Sequence, residues 1–332
     1  MNIWIPLVLI VLASLVLTEL IRRYTLNKNL IDIPNERSSH TIPTPRGGGL
    51  SIVVVFLISI SFITPLSADI YYALLGAGIL IAGIGFWDDH NHIPAKWRLI
   101  SHFTAVFWVL YWLGGVEEFH ILDYNINPGF LGLVFVALLL VWLLNLFNFM
   151  DGIDGIAATE AIFVSSVGAY FSWISGLEWI AISALILAAA SLGFLLLNWP
   201  PAKIFMGDVG SSFLGLMLGV IAYASIIKGV SVWIWIIILG VFLVDSGVTL
   251  LRRILNGERW YEAHCSHAYQ HAAKKWGHKK VTINVLLINL FWLFPLAFIS
   301  FRIPGYGLWF TLLAVTPLIT VALKLNAGIT VK

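Results

Sequence analysis

The chain has 332 residues, of which 60% are apolar and 11% charged, whereas a soluble globular protein carries roughly 45–50% apolar and about 25% charged residues. A water-soluble fold is excluded, and the composition predicts an all-α integral membrane protein. The net charge of +2 names no partner by itself, and no nucleic-acid partner is expected; the single cysteine, Cys265, excludes an internal disulfide framework or thiolate metal cluster, so any metal is held by oxygen or imidazole.

Eleven mainly apolar stretches, each able to cross a hydrocarbon core of roughly 30 Å as helix, are predicted at 3–21, 47–64, 70–87, 99–114, 130–147, 156–174, 179–197, 211–227, 231–250, 282–300 and 306–323. They leave no room for a separate soluble catalytic domain. Residues 1–332 therefore read as one polytopic bundle, with inner loops near 22–46, 88–98, 148–155, 198–210 and 251–281. The first span lacks a basic leader and is followed by Arg22 and Arg23, the pattern of a retained anchor. Lys and Arg stay on the cytoplasmic side of short loops. With an extracytoplasmic N-terminus, only Lys228 and Arg302 of the 19 Lys and Arg fall outside, leaving 17 within, which supports both the orientation and an odd number of spans.

Five aspartates in unusual local sequence share that inner face. In chain order, the first inner loop carries PTPRGGG at 43–49, where two prolines stiffen the chain, Arg46 offers a bidentate cation and three glycines permit close backbone approach to a ligand; a plain membrane-entry loop would have the same composition. GFWDDH closes the third span with Asp88 and Asp89, which are equally ordinary as solvated helix-end residues, and Lys96 and Arg98 follow. NLFNFMDGIDG places Asp151 and Asp154 at i, i+3, one face of a helix, although DG pairs also mark turns. IFMGDVGSS presents Asp208 ahead of a span, with capping as the alternative role, and Phe205 is placed to stack on a nucleobase or to pack.

The last inner loop holds Arg252, Arg253 and Arg259, then His264, His267 and His271 at the period of one helix face, with Lys274, Lys275, Lys279 and Lys280 toward lipid headgroups. Asp245 reads as a group that orients Arg252 and Arg253, and Glu160 needs a partner inside its span. Unrelated capping accidents have no reason to choose one face three times. Carboxylates interleaved with cations suit a phosphate substrate held with a divalent metal. An ion or solute transporter is the alternative, but transporters place such groups near the bilayer midplane.

The succession PTPRGGG, GFWDDH, NFMDGIDG, IFMGDVGSS and a late histidine cluster resembles the polyprenyl-phosphate N-acetylhexosamine-1-phosphate transferases of glycosyltransferase family 4 over roughly residues 30–280. The resemblance implies a multi-pass enzyme of the bacterial inner membrane that moves a sugar 1-phosphate from a UDP-N-acetylhexosamine to undecaprenyl phosphate and releases UMP. It also implies magnesium, with manganese as a substitute, and is compatible with a homodimer. Residue by residue, it makes Asp208 the leading metal ligand with Asp151 shaping the metal site. Asp88 and Asp89 match a pair that handles metal or lipid phosphate, Asn148, Asp151 and Asp154 match the nucleotide-binding segment, and Phe205 matches the uracil-stacking position. Lys96 stands in for a lysine expected nearer the aspartate pair. His264 and His267 match two positions of a histidine motif whose middle position is Ser266 here. The EAHCSHAYQ form resembles the branch serving O-antigen or other surface polysaccharides, whose donor is often a UDP-N-acetyl-6-deoxyhexosamine.

Overall fold

A computed structural model describes residues 3–34, 42–63, 65–91, 93–114, 119–121, 124–126, 129–258 and 264–329. Arg259, assigned above to the basic loop, and residues 38–41, which lead into the PTPRGGG segment, lie outside them.

The architecture is helical. From the N-terminus run α1 (Trp4–Asn27), α2 (Leu50–Ile63), α3 (Ala68–His90), α4 (Ala95–Leu113), α5 (Gly129–Met150), α6 (Ile156–Ile174), α7 (Glu178–Asn198) and α8 (Asp208–Ile226). Then follow α9 (Val232–Ile238), α10 (Gly240–Leu255), α11 (Ala268–Trp276), α12 (His278–Ile288), a π-turn at Asn289–Leu293, α13 (Phe294–Arg302) and α14 (Gly307–Lys324). Two small antiparallel ladders complete the described residues. One joins β1 (Ile31–Asp32) to β2 (Thr44–Pro45), the other β3 (Phe119–Ile121) to β4 (Tyr124–Ile126).

Each of the eleven predicted segments falls on a helix, but not as eleven full-length spans. Among the described residues, seven helical segments are long and apolar enough to cross a membrane, α12 through α13 counting as one, or eight if α9 and α10 form one span bent by 76° at Leu239. The α2 helix has only 14 residues, because the chain before Leu50 is tied to another loop instead of continuing the helix.

The core sits around α8. The most apolar stretch of α8 is 94% buried, against 22% for those of α1 and α14, whose side chains such as Leu9, Val16, Trp309 and Leu313 form an exposed apolar surface. Side chains of this kind are stable in contact with lipid tails. A bundle in lipid gains little from hydrophobicity between its helices, so close packing of small residues matters more. Accordingly Gly85 of α3 lies directly on the start of α8, where an added Cβ would come within 2.6 Å of the Val209 Cα. Glu160, fully buried in α6, receives a hydrogen bond from Asn289 Nδ2 at 2.6 Å, the partner that its place in a span calls for.

Candidate active site

The C-terminal ends of α3 and α5 meet the N-terminus of α8 at one end of the bundle, and this convergence sets the site. At the first residue of α8, Asp208 accepts a hydrogen bond from Asn148 Nδ2 of α5 at 2.9 Å, and the same amide reaches Ser211 Oγ at 3.2 Å. Asp89 of α3 turns both carboxylate oxygens onto α8, accepting the Asp208 and Val209 N–H groups at 3.0 and 3.2 Å. The sequence suggested a capped helix here, but the capping anion comes from another helix and fixes α3 to α8.

Asp88 accepts the Ile93 N–H at 2.8 Å and pairs with Arg98 Nη1 at 2.8 Å, while the same guanidinium lies 3.5 Å from Asp208. Arg98 thus bridges two of the predicted aspartates. The expectation for Lys96 is corrected: its ammonium lies over the Trp97 ring at 5.5 Å, and the residue is exposed. The reason is a helix boundary. Helix α4 begins at Ala95, four residues before the predicted span, and its first turn carries Arg98 back toward α3. Arg98→Ala is expected to lower kcat/KM for sugar-phosphate transfer about a hundredfold, as loss of a preorganised charge contact does, whereas Lys96→Ala leaves it within about twofold; steady-state kinetics of the two variants checks the contrast.

The PRGGG loop is laced to the segment before α8. Phe205 N–H donates to the Pro45 carbonyl at 2.8 Å, Gly48 N–H to the Phe205 carbonyl at 2.9 Å, and Gly49 N–H to the Met206 carbonyl at 2.8 Å. Gly49 and Gly210 touch backbone to backbone, since a Cβ on Gly49 would lie 2.3 Å from the Gly210 Cα. Two of the three glycines expected to face a ligand, Gly48 and Gly49, therefore face protein. Their close packing carries Arg46 and Phe205 to one place, with an Arg46 Nη2 hydrogen bond to the Asp89 carbonyl.

Between these elements opens a cavity of about 300 Å³ whose walls include Arg46, Asp89, Asn148, Asp151, Asp154, Phe205 and Asp208. Seven predicted residues from four stretches of chain are thus brought together, and Asp88 borders an adjoining cleft with Arg98, Asn148 and Asp208. The expected helix face of Asp151 and Asp154 is corrected, because α5 ends at Met150 and α6 starts only at Ile156, which leaves both on an irregular turn. Asp154 is held by the Ala202 N–H at 3.1 Å and by His278 Nδ1 at 3.2 Å. The Asp151 carboxylate makes no hydrogen bond among the described residues. Burial and the nearby Asp208, Asp89 and Asp154 charges push its pKa well above the usual carboxylate range. A cation in the cavity would relieve that repulsion.

Among the described residues, no group of three or more His, Cys, Asp or Glu is placed to hold a metal by itself. Magnesium is commonly bound through one or two carboxylates with substrate phosphates and water completing its shell. Asp208 and Asp151 on one cavity wall fit that donor set.

The predicted basic and histidine residues of the last loop stand elsewhere. Arg252 donates to the Ala327 carbonyl at 2.8 Å, and Arg253 pairs with Glu258 at 2.7 Å, so both tie down neighbouring chain instead of lining the cavity. His264, His267 and His271 do not share a helix face, because α11 begins at Ala268 and only His271 lies in it. The His264 and His267 rings stack at 5.0 Å behind the wall. Burial, with His267 and Arg253 adding to it, pushes the His264 pKa down to about 4, so near neutral pH it is an uncharged imidazole. Asp245 contacts neither arginine; it binds His267 and the start of α11. Sequence reasoning missed the wall residues Asp32, Asn198, Gln270 and His278. Of these only Gln270 carried a signal, its place three residues after His267 in a reciprocal helix cap.

A family profile, glycosyl transferase family 4, matches residues 71–226. A "Phospho-N-acetylmuramoyl-pentapeptide-transferase" of Geobacillus sp. is 31% identical over 270 residues, covering 74% of this chain and 81% of the relative. The chain belongs to glycosyl transferase family 4. A "Probable undecaprenyl-phosphate N-acetylglucosaminyl 1-phosphate transferase" of Bacillus subtilis is 29% identical over 290 residues, covering 84% of this chain and 79% of the relative. A "Decaprenyl-phosphate N-acetylglucosaminephosphotransferase" of Mycolicibacterium smegmatis is 36% identical over 228 residues, covering 61% and 55%. The family 4 match contains every cavity aspartate except Asp32, together with Asn148 and Phe205, whereas Arg46 and the α11 wall lie outside it. The protein is accordingly a multi-pass membrane sugar-phosphate transferase of family 4.

Proposed function

We propose that the protein transfers an N-acetylhexosamine 1-phosphate from a UDP-sugar to undecaprenyl phosphate, releasing UMP. The product is a lipid-linked diphosphate sugar that starts O-antigen or another surface polysaccharide. The carrying observation is the single cavity in which Asp208, Asp151, Asn148, Phe205 and Arg46 meet, with Asp88 and Arg98 at its edge. The bias of Lys and Arg supports a cytoplasmic setting for that end of the bundle, at a bacterial inner membrane, where nucleotide sugars are available.

The reaction is phosphoryl transfer: an oxygen of the lipid phosphate attacks the sugar-bearing phosphorus, and UMP leaves. The nucleophile is already anionic near neutral pH, so alignment and charge neutralisation matter more than a base. That requirement agrees with the engagement of the aspartate pair, since Asp89 is spent on the α8 amides and Asp88 on Arg98. Arg46 and Arg98 flank the cavity with positive charge for the two phosphate groups. Phe205 supplies a ring face for uracil at the wall shared with Asp154. Magnesium held by Asp208 and Asp151 would offset the repulsion between donor diphosphate and acceptor phosphate. Asn148 orients the Asp208 carboxylate for that task.

The purified full chain, given undecaprenyl phosphate, magnesium and a panel of UDP-N-acetylhexosamines including 6-deoxy sugars, is expected to release UMP with one of them and to form the matching lipid product. UMP release that does not require the lipid phosphate, or none with any donor, would overturn the reading.

A further inference from the structure

Asp245 of α10 is 6% exposed and stands outside the cavity wall, yet three donors and the His267 ring converge on it. His267 Nδ1 lies 3.2 Å from Oδ1, the Ala268 N–H donates to Oδ1 at 2.9 Å, Thr249 Oγ1 donates to Oδ1 at 3.2 Å, and the Tyr269 N–H donates to Oδ2 at 2.8 Å. Two of the donors are the first amides of α11, which have no partner within their own helix. An anion from α10 therefore fixes where α11 begins and how it is rotated.

The anchored end controls the cavity wall. From the second residue of α11, Tyr269 Oη donates to the Phe149 carbonyl at 2.9 Å. The contact is close enough that a Cβ on Gly152 would lie 2.2 Å from that hydroxyl. Gln270 forms part of the wall while its Oε1 accepts the His267 N–H at 3.2 Å. A continuous set of bonds thus runs from α10 through Asp245 and α11 to the chain that carries Asp151.

We propose that Asp245 is a positioning residue that seats α11 on the Phe149–Gly152 segment and thereby sets affinity for the nucleotide sugar without touching it. The nucleotide-sugar part rests on the function proposed above; the seating of α11 does not. Neither Asp208 nor Asn148 bonds α11, whose links run to the Phe149 carbonyl and to the wall at Gln270, so the effect falls on binding more than on chemistry.

Cys265, the only cysteine of the chain, lies three residues before α11 and reports on its seating. In the purified full chain, Asp245→Asn places an amide N–H₂ against N–H donors. It is expected to raise the rate of maleimide labelling at Cys265 about tenfold, as loosening of one local unit does. It is also expected to raise KM for the UDP-sugar about tenfold with kcat changed less than about threefold. Asp245→Glu, which keeps the carboxylate, recovers most of both. If Asp245→Asn does not fold, Tyr269→Phe removes only the link to Phe149 and gives the KM rise with labelling near the parent rate. Parent labelling in Asp245→Asn, or a loss carried by kcat alone, overturns the proposal. If the parent protein releases no UMP, the function reading fails, and Cys265 labelling still decides whether Asp245 seats α11.

Discussion

Asp208→Asn is expected to abolish magnesium-dependent UMP release, by about a thousandfold or more, the scale of losing a preorganised electrostatic contact to a developing charge. Stability in detergent should stay at the parent level or rise. The folded state places Asp208 beside Asp151 and Asp89, and removing its charge relieves repulsion among them. The asparagine Oδ1 still accepts from Asn148 Nδ2, as the carboxylate does at 2.9 Å. Turnover measured with and without magnesium, beside a thermal melt, checks both halves. Turnover near the parent level would show that the cavity aspartate does not carry the magnesium-dependent reaction.

Gly49→Ala is expected to fail for a different reason. Its Cβ would meet the Gly210 Cα at 2.3 Å, backbone against backbone, with no flexible side chain to give way. The strain is of order 3 kcal/mol, the upper part of the range for overpacking a tight contact. Relief requires the Pro45–Gly49 strip to leave the Phe205–Met206 strip, breaking the three hydrogen bonds that bring Arg46 and Phe205 to the cavity. Turnover should fall about a hundredfold as these two binding groups are misplaced. Gly47→Ala is the contrast. Gly47 has nothing within 4 Å of its added Cβ but a φ of +92°, so only backbone strain of about 1–2 kcal/mol is expected and activity should largely survive. Equal losses in both variants, read by thermal melts and UMP release, would contradict the close-contact account.

What was legible in the sequence follows from which interactions leave a local mark. Acids at the ends of apolar runs are costly in a bilayer and therefore conspicuous, and Asp89, Asp151, Asp154 and Asp208 do meet in one cavity. Arg46 and Phe205 were found through unusual glycine and aromatic neighbours, although the reason they come together, the Gly49–Gly210 contact, depends on two stretches 161 positions apart. The late loop was misread because a 3.6-residue spacing does not say where a helix starts. His264, His267 and His271 have the right period, but only the last lies in α11. Asp245 was matched to the nearest cations in sequence, whereas its partners beyond Thr249 lie 22 to 24 positions away, at His267, Ala268 and Tyr269. Arg98 replaced Lys96 because four residues of helix were counted as loop.

The most direct test of the central claim follows the phosphorus. The purified protein is given undecaprenyl phosphate, magnesium and its UDP-sugar labelled at the sugar-bearing phosphate. The account predicts that the label passes into the lipid phase with the sugar while uridine remains in water as UMP. Label retained in water as UDP, with only sugar reaching the lipid, would contradict it.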